Sequence, residues 1–398
     1  MIAVYLSPLY VLAIIYLISH FYRMATAFAQ VLRRKWFIAV ISAVLFFLAV
    51  TPVLASFLPD IYLRKIIRPL STYWLGCLLY LVLIAIVADI VLFAVKKAGL
   101  IKPKFFATRK FYVAKGVGII ALSAVISVYG FVHATNIKTT SYDVQIEKSC
   151  NNLDSLKIAL IADLHLGYSI GASHTQKMVD AVNAMNPDII IFAGDFFDNS
   201  YDSIEDPEKV IEILKGMKST YGTYACWGNH DVSEKILVGF TFGSASVKTQ
   251  DEKMYEFLEK ANINILKDEV TLIDDSFYLI GRLDSQKPGS ADGSRLTPVE
   301  LMEKVDDEDK PIIVMDHQPR QLQELADVGV DIDLSGHTHD GQVFPATILT
   351  DLIWENSCGM IKKDNMYSIV TSGVGIYGPF MRVGSDAEVV EVNVTFSN

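Results

Sequence analysis

Four apolar stretches occupy the first 136 residues, and they constrain this chain more than any other feature. A backbone that crosses a bilayer must satisfy its own N–H and C=O groups, so each crossing needs a helix of about 20 apolar residues. The first stretch runs from Met1 to Tyr22 without a charge, and the second from Trp36 to Pro59. The third begins near Leu70 and ends before Lys96, with Asp89 inside it, and the fourth runs from Gly116 to Asn136. The first lacks the basic start and small-residue cleavage pattern of a signal peptide, so it is expected to remain as a span. Tyr22, Trp36, Tyr73 and Trp74 lie near span ends, where aromatic rings are expected as interfacial anchors. Asp89 is the one ionisable residue well inside a span. It is expected either to serve a function or to face the bundle near a helix end.

Charge divides the chain at the same place. Residues 1–140 hold 15 Lys/Arg against only Asp60 and Asp89, which leaves 20 basic and 43 acidic residues for the remainder. An acidic C-terminal part with no basic stripe argues against nucleic acid as its partner. The loop after the first stretch carries Arg23, Arg33, Arg34 and Lys35. The loop before the fourth carries Lys96, Lys97, Lys102, Lys104, Arg109, Lys110 and Lys115, without an acid. The middle loop has Arg64, Lys65 and Arg68 beside Asp60. Positive loops stay cytoplasmic, so the expectation is a multi-pass protein of the cytoplasmic membrane with its C-terminal part outside the cytoplasm. The bilayer is then an obligatory partner.

The remainder alternates short apolar runs with amphipathic stretches. Lys157–Ala162, Asp188–Ala193, Tyr221–Cys226, Ile312–Met315 and Val330–Leu334 are predicted strands, and Ser173–Asn186 and Asp206–Lys218 predicted helices. Phe240–Thr249 and Gln286–Leu296 are polar and Gly/Ser-rich, and are expected as surface loops. Domains are expected at 1–137, four helices, and 155–398, catalytic, with a linker over 138–154. Of the cysteines, Cys77 lies in a span, and no CxxC occurs among Cys150, Cys226 and Cys358. One Cys150–Cys358 bridge could form outside the cytoplasm, but the sequence alone does not support it.

A cluster of metal-ligand residue types follows each of the five strands. They are Asp163-Leu-His165, Gly194-Asp195-Phe-Phe-Asp198, Gly228-Asn229-His230-Asp231, Asp316-His317 and Gly336-His337-Thr-His339. The chain has eight histidines, and five of them sit at these strand ends; the others are His20, His133 and His174. Strand C-termini of an α/β sheet lie along one edge, so the five loops are expected to converge. Imidazole, carboxylate and amide together suit Mn²⁺, Fe or Zn²⁺ better than Ca²⁺ or Mg²⁺. One carboxylate can bridge two such ions roughly 4 Å apart, and the pair can clamp a phosphate.

The motif order DxH, GDxxD, GNH[DE], an isolated His and GHxH resembles the calcineurin-like metallophosphoesterase superfamily over about residues 155–395. LSGHTHDGQ at 334–342 and TSGVGIYGP at 371–379 are similar to its bacterial membrane-associated branch. The resemblance implies an α/β fold, a four-layer β-sandwich of two mixed sheets flanked by helices, here preceded by the four spans. It implies that Asp163, His165 and His339 hold one divalent transition-metal ion (manganese, iron or zinc) and that Asn229, His317 and His337 hold a second. Asp195 would bridge them, and a bridging hydroxide would be the nucleophile. It further implies that His230 protonates the leaving group with Asp231 orienting it, and that Asp198 and Asp316 orient ligands from behind. Purple acid phosphatases, a related branch, carry Tyr where this chain has Asp198, so a tyrosinate-bound ferric ion is not expected. Arg282 and Arg382 are candidates to bind substrate phosphate. The activity implied is metal-dependent phosphohydrolysis. Membrane anchoring favours a lipid-linked or envelope substrate. Soluble nucleotides, and a sensor or transport protein with a regulatory phosphoesterase domain, remain alternatives.

Overall fold

The computed structural model describes residues 2–29, 32, 35–58, 61–151, 153–233, 235–237, 240–242, 251–288 and 294–397. Most of the two expected loops at Phe240–Thr249 and Gln286–Leu296 falls outside these residues. The chain divides into two compact units. The first comprises Met1–Val132, Lys235–Phe242 and Gly378–Met381; the second comprises His133–Glu234, Gly243–Tyr377 and Arg382–Asn398.

The first unit is helical: α1 (Ile2–Phe28), α2 (Lys35–Phe57), α3 (Ile61–Lys97), the short α4 (Pro103–Phe106) and α5 (Arg109–His133). Four of these are long and apolar enough to cross a membrane. Each outruns or shifts against its sequence-based limits, most of all α3, which continues past its apolar stretch to take in Arg64, Lys65 and Arg68. Trp74, expected at an interface, is buried among the helices, and its indole N–H donates to the Tyr10 hydroxyl at 3.2 Å. An indole so placed satisfies its donor within the bundle and has no call on the headgroups.

Asp89 also turns inward. Its Oδ2 accepts from the Tyr16 hydroxyl at 2.7 Å and stands 3.1 Å from His20 Nε2, while Oδ1 pairs with the Lys115 ammonium. Three helices, α1, α3 and α5, therefore share one polar knot. In hydrocarbon such a carboxylate needs these partners, which explains both its charge and its position.

Among the described residues the second unit holds twelve strands; β5 (Lys235–Leu237) and β6 (Phe240–Phe242), a hairpin numbered with them in chain order, belong to the first unit. One six-stranded sheet runs β1 (Ile137–Ile146), β14 (Ala387–Phe396), β2 (Ser155–Ile161), β3 (Ile189–Ala193), β4 (Thr223–Cys226), β7 (Ile263–Ile265). The other runs β12 (Gly359–Lys363), β13 (Met366–Val370), β11 (Ile332–Ser335), β10 (Ile312–Met315), β9 (Phe277–Gly281), β8 (Glu269–Ile273). Both are mixed: β2, β3, β4 and β7 are parallel, as are β9, β10, β11 and β13, while β14 and β12 run antiparallel to their neighbours β2 and β13. Every second residue meets the facing sheet, so Ile158, Leu160, Ile189, Ile191, Ile313, Met315, Ile332 and Leu334 share one core.

The alternate residues Tyr278, Ile280, Ile312 and Val314 pack under α9 (Pro298–Met302) and α10 (Leu322–Asp327). The remaining helices are α6 (Ala172–Met185), α7 (Pro207–Leu214), α8 (Glu252–Lys260) and α11 (Ala346–Ile353). The first three bury one face each: Met178, Val179 and Val182 in α6, Val210 and Leu214 in α7, Met254 and Phe257 in α8. The α6 cap is Gly171, and Ser173, where the predicted helix begins and where a serine cap would be expected, lies inside the first turn; Asp206 caps α7 by accepting from the Lys209 N–H.

The stretch 138–154, expected as a linker, contains most of β1, which pairs with β14 in parallel along all ten residues. Its polar outward positions conceal it: only Val144 and Ile146 of the strand are buried. Only residues 134–136 separate α5 from β1. All four cysteines are free, and the Cys150 thiol donates to the Ser276 carbonyl, so the Cys150–Cys358 bridge is not formed.

Replacing Asp89 by Leu leaves Lys115 and His20 without their carboxylate. The expected result is a loss of about 1–2 kcal/mol in detergent-solubilised protein, largely restored in the Asp89→Leu/Lys115→Leu double variant. A thermal melt in which the double variant is as unstable as the single one would show that the pair does not lock these helices.

Candidate metal centre

The ligand residues lie where the parallel strands end. Asp163 and His165 follow β2, Asp195 and Asp198 follow β3, and Asn229, His230 and Asp231 follow β4. From the facing sheet, Asp316 and His317 follow β10, and His337 and His339 follow β11. Backbone bonds lace these turns together. The N–H groups of Asp163 and His165 donate to Gly194 and Asp195, that of Gly336 to His317, and those of Val374 and Gly375 reach across to Ala162 and Asp163.

The turns are tight enough to force unusual backbone. Asp163, His165, Asp195, His337 and His339 all have φ between +50° and +71°. Non-glycine residues seldom adopt this region, and Asp and His are among those that tolerate it best. At Gly228 a side chain is excluded for another reason: a Cβ would fall on the Asp195 carboxylate.

The side chains form two groups. In the first, His165 Nε2 lies 3.0 Å from His339 Nε2, and Asp163 Oδ1 lies 3.6 Å from His339 Nε2. Asp163 Oδ2 accepts the His337 N–H, whereas Oδ1 is buried without a hydrogen-bond partner. In the second, His317 Nε2 lies 3.0 Å from Asn229 Oδ1, 3.1 Å from His337 Nδ1 and 3.1 Å from Asp195 Oδ2. Asp195 Oδ2 also stands 3.8 Å from His165 Nε2, so one oxygen faces both groups, while Oδ1 accepts the His230 N–H. Buried imidazole nitrogens aimed at one another, together with an orphaned carboxylate oxygen, are what a cation-binding donor set requires. The residues therefore fit two metal ions, and Asp163, His165 and His339, and Asp195, His317 and His337, each converge within metal-binding reach. Further, His317 Nδ1 is 2.9 Å from the Ala193 carbonyl; donation there leaves Nε2 as the ligating nitrogen.

The buried groups also act on one another's charge. Burial alone would raise the Asp195 carboxyl, but His317 holds it well below the usual carboxylate range. Burial also opposes charge on His317, and Asp195 overrides it, holding the imidazole well above its ordinary value. Asp163 is raised to about 6 by burial. Burial pushes His230 down to about 3 and lowers His337 and His339 well below their ordinary value.

Several expected roles move. Asp231 does not touch the His230 ring. Its Oδ2 accepts the N–H groups of Gly228 and Asp195 at 2.8 and 2.9 Å, and its Oδ1 that of Phe197 at 3.0 Å. The ring partner of His230 is Asn199, whose Oδ1 meets Nδ1. Arg282 is buried on Asp316 at 3.0 Å, shared with Arg295 at 2.9 Å, and so steadies the turn carrying His317 instead of reaching the cleft. Arg382 is also buried, donating to the carbonyls of Ser372, Gly373 and Gly375; it clamps the glycine-rich segment. Asp198 lies within metal-binding reach of His165 and His230.

The sequence reading missed Asn199, Tyr377, Lys287, Arg320 and Trp354. The Tyr377 ring lies 4.6 Å from that of His230 and 5.6 Å from that of His165. Lys287 donates to the Asn229 carbonyl at 2.7 Å. Trp354 meets the His337 ring edge-on at 5.3 Å, and Arg320 lies over Trp354 at 4.7 Å. Asn199 adjoins GDxxD and Tyr377 sits inside TSGVGIYGP, so proximity to motifs was the one available signal.

A family model described as calcineurin-like phosphoesterase matches residues 156–341. A transmembrane protein with metallophosphoesterase domain from Danio rerio is 31% identical over 279 residues, covering 68% of this chain and 60% of that one. An uncharacterized metallophosphoesterase of Campylobacter jejuni is 31% identical over 261 residues, covering 64% of this chain and 62% of that one. The chain thus spans about 60% of the length of these curated relatives. The solved structure of the NAD nucleotidase of Haemophilus influenzae aligns over 56% of this chain and 46% of that one, with 12% identity and a TM-score of 0.34, too low to carry an argument.

Asp231→Ala would strand three buried N–H groups at about 1–3 kcal/mol each, so a large drop in melting temperature is expected. Asn199→Ala, which strands one ring nitrogen instead of three amides, should lower the melting temperature less and act mainly on turnover. Wild-type melting of Asp231→Ala, followed by circular dichroism, would refute the anchoring role.

Proposed function

Residues 156–341 belong to the calcineurin-like metallophosphoesterase superfamily, and on that premise we propose that this chain is a membrane-anchored dimetal phosphohydrolase acting on a phosphate ester or pyrophosphate of a lipid-linked or envelope substrate. The observation that carries the reading is Asp195 Oδ2, one buried oxygen facing His165 on one side and His317 on the other. Asp163, His165 and His339 would hold one ion, Asn229, His317 and His337 the other, and Asp195 both. Two divalent ions of manganese, iron or zinc, when bound, supply Lewis acidity to the phosphate and lower the pKa of an attacking water.

The chain's own residues do the rest. An oxygen from water bonds to phosphorus, the bond from phosphorus to the leaving oxygen breaks, and a proton must reach that oxygen. Asn199 Oδ1 accepts from Nδ1 of His230, which leaves Nε2 as the bare nitrogen of the neutral ring, able to take up a proton given off by the attacking water and pass it to the leaving oxygen. Asp231 keeps the turn bearing Asn229 and His230 in place through the backbone. Tyr377 bounds the cleft over His230 and helps exclude water from the reacting centre.

The catalytic unit lies on the extracytoplasmic side in this reading, because eleven Lys/Arg in the loops after the first and before the fourth span hold those loops in the cytoplasm.

The purified full chain is expected to hydrolyse bis-p-nitrophenyl phosphate with added Mn²⁺ and to stop on chelation. His230→Ala should keep its metals and lose about 10²–10⁴-fold in rate, whereas Asp195→Ala should lose metal as well. No more than one tight ion per chain in protein never exposed to chelator would overturn the dimetal reading. For topology, protease added to intact cells or spheroplasts is expected to release fragments of the catalytic unit; full protection until the membrane is broken would place it in the cytoplasm.

A further inference from the structure

Within the second unit, α11 (Ala346–Ile353, ATILTDLI) stands apart, because none of its residues is buried. Ile348, Leu349, Leu352 and Ile353 recur at the spacing of one helical face and are 51%, 58%, 77% and 74% exposed. Phe344, just before the helix, is 45% exposed. Thr347, Thr350 and Asp351 lie on the opposite face, where Asp351 accepts from the Ser357 hydroxyl and Thr350 bonds back to the Ala346 carbonyl. Four large aliphatic side chains in one contiguous group are not the scattered apolar residues of an ordinary surface; such a patch marks a partner.

Chemistry around the helix says which partner. It is bracketed by the metal centre: His339 precedes it by seven residues, and Trp354 directly after it rests against the His337 ring. Trp354 carries the Arg320 guanidinium on its face. An aliphatic face ending in an indole and an arginine is the pattern of a helix lying in a bilayer interface, with the amphipathic groups at headgroup level. The guanidinium matches a phosphate there. A bilayer is also within reach. The chain has four helices able to span one, and only residues 134–136 separate α5 from β1, at most roughly 11 Å of extended chain.

We propose that α11 is an interfacial helix whose Ile348–Ile353 face enters the lipid, and that the metal centre consequently takes a phosphoester amphiphile whose apolar part stays in the bilayer, with Arg320 and Trp354 receiving its anionic headgroup. The substrate half of this inference rests on the phosphohydrolase reading of the centre; the membrane half does not.

The test uses the full chain in vesicles of phosphatidylcholine and phosphatidylglycerol. Leu352 is replaced by the photocrosslinker p-benzoylphenylalanine, with Val299 of α9, 60% exposed, replaced in the same way as a control. Lipid adducts are expected at position 352 and not at 299. Adducts joining two copies of the chain, no lipid adduct, or equal labelling at both positions would overturn the interfacial assignment. In a second arm, Leu352→Lys/Ile353→Lys is compared with wild type on hexadecyl p-nitrophenyl phosphate in the same vesicles and on soluble bis-p-nitrophenyl phosphate. A fall of about tenfold or more on the vesicle substrate alone is expected, since two buried charges oppose insertion. An unchanged ratio of the two rates would overturn the substrate assignment. If wild type hydrolyses neither compound, the phosphohydrolase reading fails, and the crosslink still decides the helix.

Discussion

The carboxylate of Asp195 is the point around which the second unit is arranged. It is buried beside four imidazoles and another carboxylate, where an isolated charge would be costly. Its Oδ1 takes the His230 N–H and its Oδ2 faces both ligand groups. Behind it, Asp231 holds the N–H groups of Asp195, Phe197 and Gly228, so the turns after β3 and β4 move as one piece. The close approach at Gly228 and the positive φ of five ligand residues follow from bringing so many turns to one atom. Strain of this sort persists only where surrounding contacts over-determine it, and the backbone bonds between the turns supply those contacts.

Those contacts exist because the two sheets share one core. Parallel strands deliver their C-terminal ends to the same edge, and the facing sheet delivers His317, His337 and His339 to meet Asp163, His165 and Asn229. The two buried arginines serve this meeting. Arg382 gathers three carbonyls of the glycine-rich segment, and Arg282 with Arg295 pins Asp316 beside His317. A buried guanidinium whose terminal nitrogens donate to fixed carbonyls or a carboxylate stiffens the turn it sits in.

The same accounting of polar groups sets the helical unit apart from the sheet-bearing one. In the helices, where lipid offers no hydrogen bonds, Asp89 gathers Tyr16, His20 and Lys115, and Trp74 turns inward to Tyr10. On α11 the aliphatic side chains of Ile348, Leu349, Leu352 and Ile353 are exposed, while Thr347 and Thr350 are only partly so.

Residue type and spacing alone determined the four spans, the five ligand clusters and their strand context. Apolar length, strand alternation and ligand chemistry are local properties, written within a few residues of one another. Only tertiary structure decided that Asp231 bonds backbone while Asn199 meets His230, and that Arg282 and Arg382 are buried. It likewise decided that 137–146 is a strand and that α11 leaves its apolar face open. Each of these depends on which atoms arrive from distant segments. Arg282 meets Asp316 because β9 and β10 lie side by side in parallel, and β1 is a strand because β14, some 250 residues later, offers it an edge. A carboxylate after a strand carries no mark in the sequence of whether a metal, an imidazole or a row of amides will be waiting for it.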